Sequence, residues 1–122
     1  MTETYRSVVT AVGPMATEFA AEGILVFFSE AAPEELRDFA VIHTHPAPPS
    51  SPVEVGDIIA IGNEELPVTA VGAIANDNIA ELGHFVLKLN GLTEAELPGD
   101  VCVAAAESPA LVPGAELTVR RP

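Results

Sequence analysis

Three histidines are the scarce chemistry-bearing residues of this chain: His43, His45 and His84. Imidazole is the side chain best suited to work near neutral pH as base, nucleophile or ligand. His43 closes an apolar stretch, Phe39-Ala-Val-Ile42, and His45 opens a proline-rich one. In an extended chain residues i and i+2 share a face, so both rings could project together from a strand end. Sites of this kind favour loops held by a rigid scaffold. The plain alternative is one exposed histidine and another satisfying a buried hydrogen bond.

Other chemistries find less support. His-Thr-His-Pro46, followed by Ser50-Ser51, Glu54 and Asp57, resembles the zinc-binding core of JAMM metalloproteases. Two histidines and a carboxylate can hold zinc with a position open for water. Here the spacing gives Ser51-x-x-Glu54 in place of an aspartate, and Glu30 is a poor stand-in for the expected upstream glutamate. A zinc hydrolase using His43 and His45 is therefore the minor reading. No phosphate-cradling glycine loop and no Gly-x-Ser-x-Gly elbow occur. Cys102, in Val101-Cys-Val-Ala104, reads as a small core residue rather than a thiolate nucleophile. Asn76-Asp77-Asn78 has calcium-like oxygens without the rest of an EF-hand, and reads as a cap or turn.

The elements that must position the histidines are mostly strands. Punctuation comes about every ten residues, and the apolar runs are short and rich in Val, Ile and Phe. Strands are predicted over residues 5–12, 23–29, 39–44, 57–62, 66–74, 84–90, 100–105 and 115–120. Short helices are predicted over residues 14–22, with Met15 and Phe19 on one face, 33–38 and 76–83. Asn76 or Asp77 should cap the last helix and Gly83 should end it. Asn63-Glu64-Glu65 reads as a hairpin turn and Pro113-Gly114 as the last turn. Residues 45–52 hold four prolines and form a stiff extended loop. The resulting fold class is mainly β: a compact mixed-sheet barrel or half-barrel with a few short helices.

Length and charge set the outer bounds. A chain of 122 residues with 48% apolar side chains is one domain, spanning residues 1–122, able to bury a core. Eighteen acids against five Lys and Arg give a net charge of −13. That argues against nucleic acid and anionic membranes, and suits steering of a basic protein partner. The N-terminus lacks a signal-peptide pattern, the lone cysteine forms no intrachain disulfide, and the longest apolar run falls far short of the roughly 20 residues of a membrane span. The expected location is cytoplasmic, with no membrane insertion.

A longer pattern is more specific than the histidines. Leu66-Pro-Val-Thr-Ala-Val-Gly-Ala-Ile-Ala-Asn-Asp-Asn-Ile-Ala-Glu-Leu-Gly-His84 continues through Leu87-Lys-Leu-Asn-Gly-Leu-Thr-Glu-Ala-Glu-Leu-Pro-Gly99. Thr10-Ala-Val-Gly13, Ala32-Pro33 and Ile42-His-Thr-His45 precede it. Together these resemble the glucitol/sorbitol-specific enzyme IIA component of the bacterial phosphoenolpyruvate-dependent sugar phosphotransferase system (PTS), over almost the whole chain. The resemblance implies a phosphocarrier without a cofactor or metal. Its donor would be the phosphocarrier protein HPr, and its acceptor the IIB component of the IIB/IIC membrane transporter. The family's phosphorylated histidine maps to His43. A neutral imidazole exposed at the end of a rigid element suits that task, attacking through Nε2. His45 or His84 would donate to the phosphoryl oxygens, with Thr44 a weaker candidate. A regulatory or binding module of the same fold that no longer transfers phosphate is the main alternative.

Overall fold

The computed structural model describes residues 2–122. Eight strands and three short helices follow one another. They are β1 (Thr2–Val12), α1 (Ala16–Ala21), β2 (Ile24–Ser29), α2 (Glu34–Arg37), β3 (Ala40–His43), β4 (Ile58–Ile61), β5 (Glu64–Val71), α3 (Ala75–Leu82), β6 (Phe85–Lys88), β7 (Asp100–Val103) and β8 (Glu116–Arg121). The strands close a barrel in the order β1-β3-β2-β6-β7-β5-β4-β8. β2 pairs in parallel with β3, and β6 with β7; the remaining pairs are antiparallel. The expected mixed-sheet barrel is present and closed, so among the described residues each strand has a neighbour on both sides.

Strand alternation builds the interior. Along β1, Tyr5, Ser7 and Val9 are buried while Arg6, Val8 and Thr10 are exposed. The interior packs Phe27 flat on Phe85, their centroids 4.8 Å apart. Burying one such ring contributes about 1.5–3 kcal/mol. β3 is buried on both faces: Val41 belongs to the interior core, whereas Ala40 and Ile42 join Phe28 and Ala32 in an outer cluster. Val41 and His43 share the inward parity of this strand. His43 is thereby aimed into the barrel's end by the same pattern that buries Val41.

Several local expectations are corrected. α1 buries Ala16 and Ala20, while Met15 precedes the helix and is exposed. The hairpin turn is Gly62-Asn63, since Ile61 already pairs with Glu64, and Gly62 has φ +60°. A two-residue Gly-Asn loop matches the twist of paired strands better than the longer turn expected from Asn63. Neither Asn76 nor Asp77 caps α3, which begins after Ile74 without a side-chain cap. Instead the Asn76 amide bonds the backbone N–H and C=O of Val53, at 2.8 and 3.0 Å, and ties the helix to the end of the proline loop. Gly83 does end α3, in the left-handed region at φ +62°.

Candidate functional site

β3 delivers His43 to the barrel's end, where α3 and its Gly83 turn close over it. The ring is fully buried, 0% exposed, which corrects the expectation of an open imidazole. Burial follows from register: His43 pairs with Val9 across β1 and with Ser29 across β2, and its ring meets Phe27 edge-on. Both ring nitrogens are engaged. Nε2 lies 2.6 Å from the Gly83 carbonyl oxygen, and Nδ1 lies 2.8 Å from Ser7 Oγ. A carbonyl only accepts, so Nε2 carries the proton and Nδ1 holds the lone pair. Burial pushes the His43 pKa below its ordinary 6.5, the Gly83 carbonyl draws it back up, and neighbouring His45 lowers it further. The neutral ring is the form this site favours.

His45 sits half-buried beside it, with ring centroids 6.0 Å apart. The two histidines do project together, but through a kink rather than a continued strand. Among the described residues, His45 alone of the non-glycine residues has positive φ, at 46°. That conformation costs an L-residue about 1–2 kcal/mol and persists only where contacts enforce it. Here its backbone N–H donates to Ser7 Oγ at 2.9 Å, and its Nδ1 meets Tyr5 Oη at 2.6 Å. Its Nε2 lies 3.2 Å from the Ala80 carbonyl of α3. The same donor logic places the His45 proton on Nε2, so the Tyr5 hydroxyl donates to Nδ1. Burial raises the Tyr5 hydroxyl to about 12, partly offset by its contact with Ser7, which keeps it a protonated donor.

Thr44 stands between the two rings in sequence and is exposed. Its Oγ1 lies 3.1 Å from Ser7 Oγ and accepts from the Val8 N–H at 3.3 Å. Gly83 completes the site by having no side chain: a Cβ there would fall 2.8 Å from His45 Cγ and 3.1 Å from His43 Cε1. His84 is not drawn into this group. Its Nδ1 donates to the Phe27 carbonyl at 2.9 Å, and its ring packs on Phe28 of the outer cluster, at 4.6 Å. Tyr5, Ser7 and Gly83 are the site residues that the histidine pattern alone does not reveal.

The carboxylates of the zinc motif go elsewhere. Asp57 and Glu54 both pair with Arg121 of β8, at 3.0 and 2.8 Å. Ser51 Oγ also accepts from Arg121, at 2.9 Å. Among the described residues, no three His, Cys, Asp or Glu side chains come together as ligands for one ion. Cys102 is buried in β7, and that burial raises its thiol pKa, as suits a core residue.

Residues 4–118 match the family model of the PTS system glucitol/sorbitol-specific IIA component. The chain belongs to that family. Relatives named as glucitol/sorbitol-specific EIIA components from Shigella flexneri and Escherichia coli (strain K12) are each 38% identical to it over 117 residues, covering 96% of this chain and 94% of theirs. The crystal structure of a PTS system IIA component from Enterococcus faecalis V583 superposes with a TM-score of 0.85 at 25% identity, covering 93% of this chain and 97% of that one. IIA membership carries a phosphocarrier role and phosphotransferase activity in general, exercised together with other components of the system. Among the described residues of this IIA chain, no helix is long and apolar enough to cross a membrane.

Proposed function

We propose that His43 is the phosphoryl acceptor, loaded by phospho-HPr and unloaded onto the IIB component of a glucitol/sorbitol transporter. The observation that carries this reading is the His43–His45 pair, held at the barrel's end by the Ser7 and Tyr5 hydroxyls on one side and the Gly83 and Ala80 carbonyls on the other. A loose phosphoryl-transfer transition state asks mainly for positioning and for donors at the equatorial oxygens. His45, half-buried and hydrogen-bonded to α3, is the nearer of the two other histidines for the donor role. In the transfer step the donor's N–P bond breaks, its electron pair stays on the donor nitrogen, and the His43 lone pair forms the new N–P bond. The burial of His43 means that the Gly83 turn must move aside when the donor docks. The exposed acids Asp77 and Glu81 on α3 give the approaching face a negative sign that suits a cationic donor surface.

One observation favours the alternative of a regulatory module without transfer: the complete burial of His43. The two readings part on incubation with phosphoenolpyruvate, enzyme I and HPr. A phosphocarrier gains the mass of one phosphoryl group, and His43→Gln, which keeps polar volume in the buried site, gains none. No mass gain in the folded natural chain would overturn His43 as the phosphoryl acceptor.

A further inference from the structure

His43 as it stands cannot use Nε2 as a nucleophile, because Nε2 carries the proton donated to Gly83. The lone pair sits on Nδ1, which faces Ser7 and Tyr5 in the barrel wall. On the Nε2 side the ring is covered by the short turn between α3 and β6. Transfer at the mouth therefore requires the proton to leave Nε2 and another to reach buried Nδ1.

We propose that Ser7 and Thr44 are positioning residues that form a hydroxyl relay from solvent to His43 Nδ1. The relay runs from exposed Thr44 Oγ1 through buried Ser7 Oγ to Nδ1, over gaps of 3.1 and 2.8 Å. It switches the acceptor histidine between a closed and an open tautomer. This rests on His43 being the phosphoryl acceptor.

Hydrogen-bond accounting supports two complete states. In the closed state the Ser7 hydroxyl donates to Nδ1 and accepts from the His45 N–H and the Thr44 hydroxyl. Thr44 accepts from the Val8 N–H. In the open state Nδ1–H donates to Ser7 Oγ, which still accepts from the His45 N–H and now donates to Thr44 Oγ1. Thr44 keeps the Val8 N–H, and its own proton turns to water. Ser7 has three partners in both states, so reversal leaves no donor or acceptor unpaired on the buried Nδ1 side, while Nε2 and the Gly83 carbonyl exchange each other for water at the opened mouth. An unpaired one costs about 1–3 kcal/mol. The left-handed backbone of His45 serves the same end, because it aims the His45 N–H at the second lone pair of Ser7.

The proton balance closes. Thr44 takes a proton from water and passes its own to Ser7, and Ser7 passes its own to Nδ1. The imidazolium so formed loses the Nε2 proton to water at the opened mouth. One proton enters, one leaves, and the ring returns to neutral with its lone pair on Nε2. The closed state returns by the reverse path: Nε2 takes a proton from water, and Nδ1 passes its own back through Ser7 to Thr44 and out to water.

The test begins on unphosphorylated protein, with ¹⁵N NMR of the histidine side chains. We expect the Nε2–H tautomer for His43, with an Nδ1 shift that moves in Ser7→Ala as its donor is lost. A resting Nδ1–H tautomer, or an Nδ1 shift indifferent to folded Ser7→Ala, overturns the relay. The second arm is the rate of labelling by phospho-HPr. Thr44→Val, at an exposed position where folding is not at risk, should slow it roughly 10–100-fold, the lower range of an assisted proton transfer. Thr44→Ser should restore it. Natural-rate labelling of Thr44→Val overturns the relay. If the natural chain takes no label at all, the acceptor reading fails instead, and the tautomer measurement alone decides whether Ser7 governs the ring.

Discussion

The polar networks around Arg121 and around His43 are made of opposite materials. Around Arg121, fixed charges dominate. The guanidinium binds Asp57 and Glu54 and donates to Ser51 Oγ and the Pro52 carbonyl. Asp57 also accepts from the Glu54 N–H. Burial alone would raise the Asp57 carboxyl, but Arg121 and that N–H outweigh it and hold it below its ordinary 3.8. Every charged group there has one role, donor or acceptor, at neutral pH, and the Ser51 hydroxyl only accepts from the guanidinium. Around His43, by contrast, Ser7, Thr44, Tyr5 and both imidazoles can each take either role. A network of fixed roles locks the proline loop to β8. A network of reversible roles can change state without breaking, which is what a carrier that must load and unload requires.

The sharpest way to break this contrast is to remove a fixed role. Arg121→Ala strands Asp57, which is 2% exposed, as an unpaired buried carboxylate. It should cost more stability than any change at the histidine site, because the Asp57 carboxylate loses its cation. Denaturant unfolding measures it, and the folded fraction should still accept phosphate. Equal loss of stability and of intrinsic labelling rate would merge the two networks into one. Gly83→Ala comes next. Its Cβ would crowd both rings, and its backbone would be held at φ +62°. We expect about 2 kcal/mol of destabilisation and a slower labelling rate, where Gly62→Ala, with open space around its Cβ, should cost stability only.

Acid gives the smallest effect and separates the networks by pH. The folded-state pKa of His43 is lowered from 6.5, so the unfolded chain binds more protons at mildly acid pH. Its contribution is fully present above about 6.5 and is lost as pH falls below it, by at most about 1.4 kcal/mol per pH unit for one proton. His43→Gln should flatten the stability profile between pH 6.5 and 5. The Asp57 contribution has the same sign but declines only as pH falls toward and below 3.8.

Much of the architecture was legible in the chain. Val, Ile and Phe in short runs between Gly and Pro predict a mixed-sheet barrel, and Gly83 predicts its own left-handed helix end. The His-x-His spacing correctly brings two rings together. The burial of His43 was not legible, because it depends on β1 and β2 flanking β3, pairings far apart in sequence. Ser7 and Tyr5 were missed for the same reason, although a serine and a tyrosine alternating with Val9 on one strand face are an unusual inward set. Asn76 reads locally as a helix cap; its actual partner, Val53, is 23 residues away.

The central claim is that His43 takes the phosphoryl group on Nε2, with its proton moved to Nδ1. Mapping the phosphoryl group on the chain loaded by phospho-HPr, with ³¹P and ¹⁵N NMR to distinguish the two ring nitrogens, tests it most directly. The account predicts a single phosphohistidine, at His43 and on Nε2. A phosphoryl group on His45 or His84, or on His43 Nδ1, would contradict it.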